Sequence, residues 1–82
     1  MMDTERMKHR GRLAELEQDA RRLELGIKGD IAAVRNLLDP FAKIEELNAE
    51  VAAAQAVELA GKQAEYLGKL GEITAIKKAL GI

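Results

Sequence analysis

The residues of this chain best equipped for chemistry are basic. The stretch "RMKHRGR" places Arg6, Lys8, Arg10 and Arg12 at alternate positions around the single histidine, His9. Cations clustered in this way would contact a phosphate backbone or an acidic partner. Asp3 and Glu5 precede the cluster, however, and no aromatic residue is interleaved to stack on a base. A solvated first turn of helix explains the same residues. The alternative function, a small nucleic-acid-associated regulator, rests on this segment alone.

The other candidates have plainer explanations. His9 falls one turn before Leu13, at the end of an apolar stripe, and a pH sensor would need burial beside a partner charge. One histidine without cysteines does not make a metal site. Asp39 precedes the only proline, Pro40, where a carboxylate caps a turn. Glu45 and Glu46 are consecutive, so they are poorly arranged for paired acid-base work. Gly26 and Gly29 follow no strand and form no phosphate loop. Tyr66 lies on an apolar stripe, its ring in the core and its hydroxyl at the edge. No nucleophile stands with a base. The expectation is a non-enzyme with no catalytic residue, cofactor or metal.

Composition narrows the classes further. The chain has 82 residues, 13 basic against 14 acidic, so its net charge of −1 speaks against nucleic acid as a partner. Hydrophobic residues make up 48%, but aromatics only 2%, and much of the remainder is alanine, which buries little area. A core of this size supplies roughly 3–5 kcal/mol without reinforcement. Disulfides are excluded by the absence of cysteine, which leaves oligomerisation. No run nears the roughly 18 apolar residues of a membrane span, and "MMDTERMKHRGR" lacks the apolar stretch of a signal peptide. A cytoplasmic protein without a membrane partner is expected.

Helices must position these residues. Leu13, Leu16, Ala20, Leu23, Ile27, Ile31, Val34 and Leu38 recur every three or four residues, which predicts a helix over about 3–38. They cover an arc of about 80°, the narrow seam of a coiled coil. Gly26 and Gly29 weaken it, and Asp30 is able to cap a new helix. The alternative is therefore a three-helix bundle broken at Gly29-Asp30, although Ile27 and Ile31 stay in phase across the glycines. Leu38-Asp39-Pro40 ends the first helix, because proline disfavours helical geometry in the residue before it. Residues 39–47 form the connection, with Phe41, Ile44 and Leu47 expected to fold back as an apolar plug. Asn48 caps a second helix over about 48–80, Lys77 and Lys78 suit its C-terminal end, and Gly81 stops it. Two helices of about 50 Å joined by a short connection make an antiparallel hairpin, one all-α domain over 1–82.

The second helix carries two apolar stripes. The large one holds Leu59, Tyr66, Leu70, Ile73 and Leu80. The small one holds Ala49, Ala53, Ala56, Ala60, Ala64, Gly71 and Ala75, with Leu67 as its bulky member. Glu58, Lys62, Glu65, Lys69 and Glu72 are expected on the remaining side. A helix apolar over about half its circumference contacts two neighbours. The chain offers only one, so a second copy is expected on Ala53, Ala56, Ala60, Ala64, Leu67 and Gly71. The result is a homodimeric four-helix bundle.

The phrase "LLDPFAKIEELN", followed by "AVELA" and "EYLGKLGEITAIKKALG", resembles small uncharacterised helical proteins of Mu-like prophages over residues 37–81. The resemblance implies a phage- or prophage-encoded protein acting inside a bacterial host cell beside a phage or host partner. It assigns no activity and no functional residue. The hinge carries most of it, so Asp39, Pro40, Phe41 and Ile44 become candidates for partner docking. The expected function is a non-catalytic, self-associating interaction or scaffold protein.

Overall fold

The computed structural model of the protein describes residues 2–82. Helix α1 (Met2–Leu37) leads through a 3-10 turn (Ile44–Glu46) into helix α2 (Ala49–Leu80). Cross-helix ion pairs fix the direction of packing. Arg12 meets Glu72, Asp19 meets Lys69 and Asp30 meets Lys62, one number falling as the other rises. The fold is an antiparallel helical hairpin. Helix α1 runs unbroken through Gly26 and Gly29, and no third α-helix exists among the described residues, so the broken-helix alternative is excluded.

Local signals set the ends. The last α1-type hydrogen bond runs from the Leu38 amide to the Val34 carbonyl at 3.0 Å. Asp39 Oδ1 then accepts from the Phe41 amide at 2.9 Å, a side-chain-closed turn that replaces the helical ladder. Asn48 caps α2 by accepting from the Val51 amide at 3.4 Å. Gly81 sits in the left-handed region at φ 75°, which lets the Ile82 amide reach back to the Lys77 carbonyl. A side chain at that φ is strained, which is why glycine stands there.

The helices meet along two strict heptad seams. On α1 the inward residues are His9, Leu13, Leu16, Ala20, Leu23, Ile27, Asp30, Val34 and Leu37, alternately three and four apart and all buried or half-buried. On α2 they are Ala52, Gln55, Leu59, Lys62, Tyr66, Lys69, Ile73, Ile76 and Leu80. This corrects the expected seam at Ile31 and Leu38, while Val34 stays inward as expected. Ile31 and Leu38 are 43% and 49% exposed, and Asp30 and Leu37 take the inward places. The physical reason is the period. Coiling holds the contact at 3.5 residues per turn, whereas the apolar residues drift at the 3.6 of a straight helix. Lys62 and Lys69 likewise lie on the inner seam, not on the charged outer side. Leu70, expected on the inward stripe, is 38% exposed.

The apolar core is lopsided. Leu13, Leu16, Ala20, Ile73 and Leu80 cluster toward the open end, with Tyr66 and Ile76 packed against them. Leu16 is fully buried, a contribution of roughly 1.5–3 kcal/mol. Toward the tip the seam narrows to Ala52 and turns polar. The expected plug is absent there: Phe41 is 94% exposed, Ile44 81% and Leu47 43%. Lys43 and Leu47 are extended on either side of the 3-10 turn, so the connection bridges the helix ends without folding onto them.

The molecule is a rod of 66 × 15 × 14 Å with a radius of gyration of 18.6 Å, against about 12 Å for a compact chain of this length. Its accessible surface is 6355 Å², where a compact monomer of this mass exposes about 4,850 Å².

Candidate interaction surfaces

Three regions of the rod hold groups whose placement calls for a role. The first lies inside the seam. Asp30 is buried, yet it is a carboxylate, and desolvating that charge is costly unless partners compensate. Gln55 Nε2 donates to its Oδ1 at 3.1 Å. Lys62 Nζ lies 2.9 Å from Oδ2, but off the direction of a hydrogen bond, so that contact is Coulombic. Gln55 and Lys62 both occupy inward heptad positions of α2, and the Lys62 stem runs across Gly26. Asp30, Gln55 and Lys62 thus form one polar layer across the hairpin. In sequence Asp30 suggests a helix cap only under the broken-helix alternative, and Lys62 reads as a surface charge. Counting in sevens from Leu23 to Asp30, and from Gln55 to Lys62 to Lys69, is the signal that finds them.

The second region is the outer face of α2. Ala53, Ala56, Ala60, Ala64, Leu67 and Gly71 are all exposed, as are Ala49 and Ala75. Val57 and Leu67 stand out at 73% and 58% exposure. Within this face lies a second unbroken heptad, Ala49, Ala53, Ala56, Ala60, Gln63, Leu67, Leu70, Thr74 and Lys77, every member exposed. Gln63, Leu70, Thr74 and Lys77 are its members outside the expected small-residue set. It lies about 100° around the helix from the inner seam, by the angle of a single residue step. An apolar groove adjoins it, walled by Ile27, Ile31, Leu59, Tyr66 and Leu67 and rimmed by Glu24 and Lys28.

The third region comprises the two ends. At the tip, Asp39, Pro40, Phe41 and Ile44 are exposed, and Phe41 with Pro40 walls an open hollow against Ala32, Arg35 and Leu38. At the open end Arg6, Lys8 and Arg10 are exposed and His9 is half-buried. Arg12 is already engaged, 3.1 Å from Glu72 and 3.4 Å from Glu15. These ion pairs are solvent-exposed and contribute little individually, on the order of 0–1 kcal/mol. Asp19 similarly sits between Arg22 at 3.1 Å and Lys69 at 3.7 Å. Along this edge the charges are paired across the hairpin.

No helix is long and apolar enough to cross a membrane among the described residues. No family model, curated protein or solved structure matches this chain.

Proposed function

We propose that the protein is a non-catalytic interaction module that self-associates through the outer face of α2, building a four-helix bundle from two hairpins. The observation that carries this reading is the second heptad of α2, apolar over most of its length and exposed throughout. An all-exposed apolar seam on a rod this thin costs free energy in water, roughly 25 cal/mol per Å² of apolar surface left uncovered. A second copy supplies a matching face without any further component. The tip, with Phe41 and Ile44 exposed, then remains free for a phage or host partner, the setting that the prophage resemblance suggests.

The test is charge placed in the face. Ala60→Glu and Ala64→Glu add a carboxylate at exposed helical positions, so the hairpin itself retains its fold, checked by circular dichroism. Sedimentation equilibrium then reports a lower average mass than the parent at equal concentration. Variants that keep the parent's associated mass place the interface elsewhere.

A further inference from the structure

We infer that the second copy lies antiparallel on the outer seam of α2, about a twofold axis passing near Gln63. This rests on the self-association proposed above and adds its geometry. The first argument concerns which helix meets which. One residue step around from its inner seam, α1 carries Arg10, Glu17, Arg21, Glu24, Lys28 and Arg35 among Ala14, Ile31 and Leu38, so charge interrupts that line at six of its nine positions and α1 offers no continuous second apolar seam. The outer seam of α2 therefore meets its own counterpart, an isologous contact. Its offset of about 100° from the inner seam matches the right-angled corner of a four-helix bundle.

The second argument concerns direction. The N-terminal half of the seam is Ala49, Ala53, Ala56 and Ala60, and the C-terminal half carries Leu67, Leu70 and Thr74. Parallel pairing would set alanine on alanine at one end and leucine on leucine at the other, forcing the axes to splay. Antiparallel pairing sets the alanine half of each copy against the leucine half of the other, so the axes keep one spacing. Charge agrees. A parallel pair stacks Lys77 and Lys78 on their own copies, whereas the antiparallel pair brings them within about one turn of Glu50 of the other chain, with opposed helix dipoles. Area agrees as well. The rod exposes about 1,500 Å² more than a compact monomer, and a standard interface removes about 800 Å² per partner.

The chain has no cysteine, so single-cysteine variants report proximity cleanly. Ala53→Cys and Thr74→Cys change little volume and lie on the outer seam. In the antiparallel pair residue 53 of one copy faces residue 74 of the other. Two copies of residue 53 then stand about 32 Å apart, from 21 residues at 1.5 Å each. A short bis-maleimide is applied to each variant alone, to their mixture after exchange, and to Gln63→Cys, with mass measured by light scattering on the same samples. The expected result is cross-linked dimer in the mixture and in Gln63→Cys, with only background in Ala53→Cys or Thr74→Cys alone. Self-cross-linking of either single variant reports parallel chains and overturns the inference. A dimeric mass without cross-links in the mixture overturns the geometry and leaves self-association standing. A folded monomer overturns both and makes the seam the site of a different protein.

Discussion

Replacing Lys62 by methionine tests how the hairpin tolerates a buried carboxylate. The substitution keeps the length of the side chain and its apolar stem but removes the cation 2.9 Å from Asp30 Oδ2. At that distance a charge pair is worth about 1.4 kcal/mol in bulk water and about 6 kcal/mol at an effective dielectric of 20. Lys62 keeps 39% of its side chain exposed and Asp30 only 12%, so screening favours the lower part of that range. Removing one partner of a fully buried pair costs about 3–5 kcal/mol, and the exposure of Lys62 reduces this to about 2–3 kcal/mol. For a chain of this size that lowers the melting temperature by about 10–20 °C. Asp30→Leu costs far less, about 0–1 kcal/mol, because the freed ammonium swings into water while leucine fills an inward heptad position. The double variant Asp30→Leu, Lys62→Met should match or exceed the parent, giving a coupling energy of about 2–4 kcal/mol in a double-mutant cycle. Urea unfolding at one fixed protein concentration reads all four proteins, since self-association would otherwise shift the midpoints. Equal stability of Lys62→Met and the parent, or additive single effects, would refute the reasoning.

Three further outcomes follow from the packing. Leu16→Ala empties a fully buried large side chain of the core and should cost about 2–5 kcal/mol in the same unfolding assay. Gly29→Ala should raise stability by about 0.5–1 kcal/mol, because α1 is continuous there and an added Cβ meets nothing within 4 Å. A loss instead would place a break at that glycine. Phe41→Ala should leave stability within about 0.5 kcal/mol of the parent, since the ring is 94% exposed. A larger drop would restore the plug that the structure lacks.

Helix ends were the most legible part of this chain because their causes are local. Pro40, Asn48 and Gly81 act on their own backbone neighbours, and each terminates or starts a helix as its chemistry requires. The inner seam of α1 was legible as far as Ile27 and again at Val34. Up to Ile27 a 3.5 and a 3.6 period select the same positions. Beyond it they diverge, and the apolar Ile31 and Leu38 draw the reading off the contact line that Asp30 and Leu37 occupy. Hydrophobicity alone cannot reveal a charged seam residue, because the compensation for Asp30 comes from Gln55 and Lys62, 25 and 32 positions away. The exposed face of α2 was foreseen from its excess of small residues, whereas its continuation through Gln63, Leu70, Thr74 and Lys77 needed the heptad register. Phe41 and Ile44 misled for another reason. Apolar character predicts burial only where the backbone carries the side chain onto a neighbouring surface, and with Lys43 and Leu47 extended the connection spans the helix ends without folding onto them.

Self-association through α2 is tested most directly by the mass of the intact protein in solution. Light scattering behind size exclusion reads mass independently of the rod shape that distorts elution. Measured over a tenfold range of concentration, the protein should give about 18 kDa at the upper end, twice the 9.0 kDa of one chain. A constant 9.0 kDa from a folded sample would contradict self-association and leave the outer seam of α2 to another protein.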